Sequence, residues 1–99
     1  MMNILLVCNA GMSTSILVEK MKKVALERNM EARIWALSST EAKNTKEDVD
    51  VVLVAPQLKF AVKDIQNSFD GKPLGVIDMR IYGTIDGAKA LDQAINLIK

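Results

Sequence analysis

Histidine is absent from this chain, and cysteine occurs once, at Cys8. Without imidazole the common zinc ligand sets are out of reach, and Cys–His pairs and Ser–His–Asp triads are excluded. A lone cysteine also excludes an intramolecular disulfide. No metal site and no cofactor is expected. Aromatic residues are scarce, with one tryptophan, one tyrosine and two phenylalanines, so the core must come from Val, Ile, Leu, Ala and Met, as in an aliphatic α/β sandwich. Neither sign of charge dominates: 13 Lys and Arg against 12 Asp and Glu leave a net +1. The lysines are spread along the chain, which leaves no electrostatic footprint for nucleic acid or an anionic membrane. No apolar run approaches the roughly 20 residues of a membrane helix, and the first residues carry neither a basic segment nor a cleavage site. A soluble, cytoplasmic protein is expected and, with no apolar stripe demanding a second copy, a monomer. Its 99 residues suffice for one core and not two, so residues 1–99 are expected to form a single domain without an internal linker.

What is present is concentrated near the start. Ile4-Leu5-Leu6-Val7 is a short continuous apolar run, the pattern of a strand covered on both faces of a parallel sheet. It leads into Cys8-Asn9-Ala10-Gly11-Met12-Ser13-Thr14-Ser15, a small-residue loop that opens a helix. The backbone of such a loop curls closely around a small ligand, and the helix start adds unpaired N–H groups and a positive dipole end. That is an anion site with a thiol at its lip. It favours negative charge on sulfur, the form in which cysteine is a nucleophile. A blander reading stands beside it, in which Cys8 is a small apolar residue ending a core strand. The small and polar residues that follow at once favour the functional reading. Gly11 alone says little, because any tight turn wants glycine, and Ser13, Thr14 and Ser15 serve equally well as helix caps.

Ile16, Leu17, Met21, Val24 and Ala25 recur at helical spacing and predict an amphipathic helix over about residues 14–29, with Ser13 or Thr14 as N-cap and Asn29 as a left-handed terminus. Ala32 to Leu37 reads as an edge strand, since Arg33 would point outward. Ser39 or Thr40 would cap a short helix through Asn44. Val49 to Ala55 is a central strand ended by Pro56. Leu58, Val62, Ile65 and Phe69 form the next helical stripe, closed by Asp70-Gly71. Pro73 to Ile77 is a fourth strand, Asp78 to Ile85 a loop, and Asp86 or Gly87 starts a last helix with Ala88, Leu91, Ala94, Ile95 and Ile98 inward. Strands alternating with helices through right-handed crossovers predict an open four-stranded parallel sheet, order 2-1-3-4, with helices on both faces. Ligands bind such sheets at the carboxyl ends of the strands, where strand order reverses. The Cys8 loop, the Pro56-Gln57 turn and the Met79–Gly83 loop are therefore expected to converge on one edge.

A cysteine-led loop in this topology resembles the P-loop of the low-molecular-weight tyrosine phosphatases. Thr14 stands where those enzymes place an arginine, and the arginines of this chain, Arg28, Arg33 and Arg80, belong to other segments. Without a bidentate guanidinium clamp, hydrolysis of phosphate esters is disfavoured. The Gly-Lys-Ser/Thr pattern of a Walker loop is absent as well. A site that accepts a phosphoryl group without hydrolysing it is suited to a carrier.

The run Leu5-Leu6-Val7-Cys8-Asn9-Ala10-Gly11-Met12-Ser13-Thr14-Ser15-Ile16-Leu17-Val18, with Val52-Leu53-Val54-Ala55-Pro56-Gln57, Val76-Ile77-Asp78 and Tyr82-Gly83, resembles the enzyme IIB components of the phosphoenolpyruvate-dependent sugar phosphotransferase system, lactose/cellobiose (chitobiose) family. The likeness runs along essentially the whole chain. It implies a phosphotransferase in which Cys8 accepts phosphate from a phosphohistidine of enzyme IIA and passes it to a cellobiose-, chitobiose- or lactose-class sugar held by the membrane enzyme IIC. The backbone N–H groups of residues 9–15 and the hydroxyls of Ser13, Thr14 and Ser15 would hold the phosphoryl oxygens. Topology puts Gln57 and Tyr82 either at a rim that touches partners or, as a turn amide and a loop aromatic, packed on the sheet edge; Met12 and Leu58 would lend such a rim apolar surface. The competing reading is a thiol redox or anion-binding module using Cys8, which the lack of a resolving cysteine disfavours.

Overall fold

The computed structural model describes residues 1–9 and 12–98, with the backbone alone at Met12 and Ser13. Its elements are β1 (Met2–Val7), α1 (Met12–Glu27), β2 (Ala32–Leu37), α2 (Ser39–Asn44), β3 (Val51–Val54), a 3₁₀ turn (Pro56–Ala61) running into α3 (Val62–Ser68), β4 (Leu74–Val76), α4 (Met79–Gly83) and α5 (Gly87–Ile98). The four strands form one sheet in the order β2-β1-β3-β4, and all three pairings are parallel. This is the predicted topology. Val7 lies opposite Leu37 and Val54, and Val54 opposite Val76, so every strand ends at the same level. All the following loops leave from one edge.

Successive side chains of a strand point to opposite faces, which divides the core in two. Ile4 and Leu6 pack with Leu17 and Met21 of α1 and with Ala90, Leu91 and Ala94 of α5. Leu5 and Val7 pack on the other face with Ala42 of α2, with Leu58, and with Ile65 and Phe69 at α3. Ile4 through Val7 are all 1% exposed or less. Each such side chain contributes about 1.5–3 kcal/mol by burial, which explains why this run has no polar alternation. The C-terminus of α1 matches expectation. Asn29 adopts a left-handed φ of 56°, Asn29 N–H donates to Leu26 O at 3.1 Å and Met30 N–H to Ala25 O at 2.9 Å, closing off the last carbonyls.

Several boundaries differ from the sequence reading. α1 begins at Met12, so Ser13 and Thr14 belong to its first turn and do not cap it. The cap of α2 is Ser38, not Ser39 or Thr40: its hydroxyl accepts from Glu41 N–H at 3.1 Å while its own N–H donates to the Glu41 carboxylate at 3.0 Å, a reciprocal capping box. The stripe from Leu58 to Phe69 is not one helix. It breaks near Leu58, whose φ of −106° and ψ of 15° are non-helical, while Leu58 itself is inward as the stripe predicts, at 3% exposure. β3 and β4 are shorter than the apolar runs that contain them. Ile98, expected inside, is 40% exposed. The segment expected as a loop from Asp78 to Ile85 contains the short helix α4.

Candidate functional site

Cys8 follows directly on β1, and main-chain bonds hold this end of the strand to both of its neighbours. Its N–H donates to Leu37 O at 3.0 Å, and the Ala55 N–H donates to Val7 O at 2.9 Å. The cysteine thus sits between β2 and β3, where strand order reverses. It is 8% exposed, and among the described residues it is a member of neither apolar cluster. Asn9 is exposed in a bend. Ala10, Gly11 and the side chains of Met12 and Ser13 lie outside the described residues. With Met12 as its first residue, the 16-residue helix α1 presents its positive dipole end, and first-turn N–H groups that have no partner within the helix, on the side of the loop that Cys8 opens.

Thr14 and Ser15, adjacent in sequence, have opposite environments. Thr14 is 1% exposed, and its Oγ1 lies 2.8 Å from the Tyr82 hydroxyl. A hydroxyl so deeply buried requires a partner, and a residue 68 positions further along supplies it. Ser15 is exposed and lines a shallow groove with Val18, Glu19, Lys22 and Trp35 beside β2.

Tyr82 itself is held by α4. Asp78 caps this helix, its Oδ1 accepting from Arg80 N–H at 2.8 Å and, less closely, from Ile81 N–H at 3.4 Å. Between α4 and the turn after β3 opens a cleft of about 390 Å³ lined by Pro56, Gln57, Lys59, Val76, Ile77, Met79, Tyr82 and Gly83. The turn after β3 and the segment after β4 therefore meet at the carboxyl edge, and the Tyr82–Thr14 bond joins them to the start of α1. Gln57 is exposed at this cleft and Tyr82 half-buried. Leu58 does not contribute to the rim, because it is buried in the core.

Three features escaped the sequence reading. Phe60 and Met79 are 82% and 75% exposed; Phe60 falls between the positions of the stripe Leu58, Val62, Ile65 and Phe69, and that offset was the available signal. The Asp78 cap was signalled only by its residue type. No helix among the described residues is long and apolar enough to cross a membrane.

A parallel α/β sheet with a cysteine at its switch point, opening a loop into a long helix, defines a class of open α/β folds whose ligands bind at the carboxyl edge of the strands. The family model for "PTS system, Lactose/Cellobiose specific IIB subunit" matches residues 3–93, and the chain belongs to this family of sugar phosphotransferase modules. It is 44% identical over 100 residues to the oligo-beta-mannoside-specific EIIB component of Bacillus subtilis (strain 168), covering 99% of this chain and 97% of that protein. The solution structure of a cellobiose-specific phosphotransferase IIB component from Borrelia burgdorferi superposes with a TM-score of 0.80 at 43% identity, covering 98% of this chain and 91% of that one. A lactose-specific IIB domain from Streptococcus pneumoniae shares the fold at 13% identity, with a TM-score of 0.86 and coverage of 99% and 98%.

Proposed function

We propose that this chain is a phosphoryl carrier that receives its phosphoryl group on Cys8 from a phosphohistidine of enzyme IIA and delivers it to a β-glucoside-type sugar, of the cellobiose, chitobiose or lactose class, held by the membrane enzyme IIC. The observation that carries this reading is the position of Cys8: bonded through its N–H to the end of β2, at the reversal of strand order, and opening the loop into α1. In the first transfer the thiolate sulfur attacks phosphorus, the S–P bond forms as the P–N bond breaks, and the imidazole leaves with a proton from water. In the second, a sugar hydroxyl attacks phosphorus, the S–P bond breaks, and the thiolate returns. The hydroxyl proton passes to a base outside this histidine-free chain.

Phosphoryl transfer asks mainly for positioning and charge stabilisation. The N–H groups of residues 9–15 serve both, with hydroxyls of Ser13, Thr14 and Ser15 as further donors. A hydroxyl donates once and accepts as well, and either oxygen of the Thr14–Tyr82 bond can be its donor; with Tyr82 donating, Thr14 keeps its own O–H for a phosphoryl oxygen. With threonine in place of a clamping arginine, the group is held for the next acceptor and not hydrolysed. The cleft at Gln57 and Tyr82, lined also by exposed Met79, suits transient docking of both partners. Such a carrier works in the cytoplasm and at the inner face of the plasma membrane.

The test is phosphorylation through phosphoenolpyruvate, the general cascade proteins and enzyme IIA, read by intact-protein mass spectrometry. The wild-type chain is expected to gain one acid-stable, iodine-labile phosphoryl group, and Cys8→Ser none. A Cys8→Ser protein labelled to full stoichiometry would overturn the assignment.

A further inference from the structure

β4 is an edge strand, and its outer backbone groups need partners or water. Val52 N–H donates to Pro73 O at 3.0 Å and Ile77 N–H to Val54 O at 2.8 Å, so odd-numbered residues face β3. The carbonyl of Val76 and the N–H of Asp78 consequently face away from it. One side chain of α5 takes both: Gln93 Nε2 donates to Val76 O at 2.7 Å, and Gln93 Oε1 accepts from Asp78 N–H at 3.3 Å. In a parallel ladder, one residue of a neighbouring strand makes this same pair of bonds to residues two apart. The carboxamide of Gln93 thus takes the place of a peptide group from a fifth strand.

Asp78, pinned in this way, is also the cap of α4, and α4 carries the hydroxyl that meets Thr14. We propose that Gln93 is a positioning residue for phosphoryl transfer: by holding the end of β4 it sets where α4 begins, and so where Tyr82 holds Thr14 at the head of the cysteine loop. This rests on Cys8 being the phosphoryl acceptor. α4 has only five residues and none of them is buried, so its placement depends on its ends. If it shifts, the buried Thr14 hydroxyl loses its partner and the first turn of α1 moves with it.

The experiment measures phosphoryl transfer from phosphorylated enzyme IIA to the full chain for Gln93→Leu, Tyr82→Phe and the double variant. Leucine has a similar size and makes neither bond. Gln93→Leu is expected to lower the maximal rate about tenfold, within the range that misplacement of about 1 Å costs. Because both residues act through Thr14, the double variant is expected to be no slower than the slower single one. Tyr82 is the only tyrosine, so a chain labelled with [13Cζ]tyrosine gives one resonance, and Gln93→Leu is expected to shift it toward that of a solvent-bonded phenol. A wild-type maximal rate in Gln93→Leu, effects that multiply in the double variant, or an unmoved resonance would overturn the proposal and leave Cys8 unaffected. Full labelling of Cys8→Ser would instead overturn the reading beneath it. Should leucine prevent folding, Gln93→Glu keeps an acceptor for Asp78, loses the donor to Val76, and is read by the same cycle and resonance.

Discussion

Replacing Gly87 by alanine measures how rigidly the helix behind the cysteine loop is seated. Gly87 is the first residue of α5 and is buried. A Cβ added there would lie 2.7 Å from the Lys20 carbonyl carbon, 2.8 Å from its Cβ and 2.9 Å from its oxygen, whereas carbon atoms pack at about 3.5–4.0 Å. Two of these neighbours are backbone atoms inside α1, so the helices must part by roughly 0.7–1 Å to restore contact distance. Overpacking of this kind costs about 1–3 kcal/mol. Alanine returns up to about 1 kcal/mol of helix propensity in a helix interior, and less at a first position. The balance is a loss of about 1–2 kcal/mol, from a total of about 5–15 kcal/mol for a domain of this length. The variant is therefore expected to fold. An unfolding entropy of about 2.1 cal/mol/K per residue, or about 0.2 kcal/mol/K for 99 residues, converts the loss into a Tm lower by about 5–10 °C. Urea unfolding followed by Trp35, the only tryptophan, is the assay. Trp35 packs against the opposite face of the sheet, so it reports global unfolding, and the midpoint is expected to fall with m unchanged. Gly83→Ala is the control, since a Cβ there meets nothing within 4 Å; it is expected to be neutral or stabilising by up to about 1 kcal/mol. A Gly87→Ala protein as stable as the parent, alongside that control result, would refute a rigid contact between α1 and α5.

Ile85 links α4 to α5 at a φ of 53°, a conformation that costs a side chain roughly 1–2 kcal/mol. Alanine there loses the packing and keeps the strain, whereas glycine loses both, so Ile85→Gly is expected to exceed Ile85→Ala in stability by about 1 kcal/mol, against the usual ranking; paired denaturation curves decide it. The Glu41 carboxyl lies below its ordinary value of 4.5, held first by the Ser38 backbone N–H and then by the Ser38 hydroxyl. Its folded value is depressed, so the capping box stabilises above pH 4.5 and that contribution disappears as pH falls through the lower folded value. The stability gap between wild type and Glu41→Gln is thus expected to narrow on acidification, and a gap constant from neutral pH downward would contradict it.

Three parts of the architecture were legible for different reasons. Ile4–Val7 and Val51–Val54 are strands buried on both faces, and such strands show as unbroken apolar runs whatever surrounds them. Strand order followed from alternation and crossover handedness. Asn29 marked the end of α1 because few residues tolerate a left-handed φ. By contrast, α4 has too few residues to display a 3.6-residue period, so the sequence pattern there predicts a loop. The break at Leu58 leaves no mark in the apolar spacing, because Leu58, Ile65 and Phe69 enter the same core cluster on either side of it.

At the site, the residues themselves determined that a lone thiol stands where a buried strand gives way to a small-residue loop, and that no imidazole or clamping arginine accompanies it, because residue type and spacing carry that information locally. Only the tertiary structure decided that Thr14 turns inward to meet Tyr82 and that Gln93 closes the edge of β4. Those bonds span 68, 17 and 15 residues. Whether such atoms come within 3 Å or so of each other depends on where whole helices settle against the sheet, and no short stretch of sequence encodes that placement.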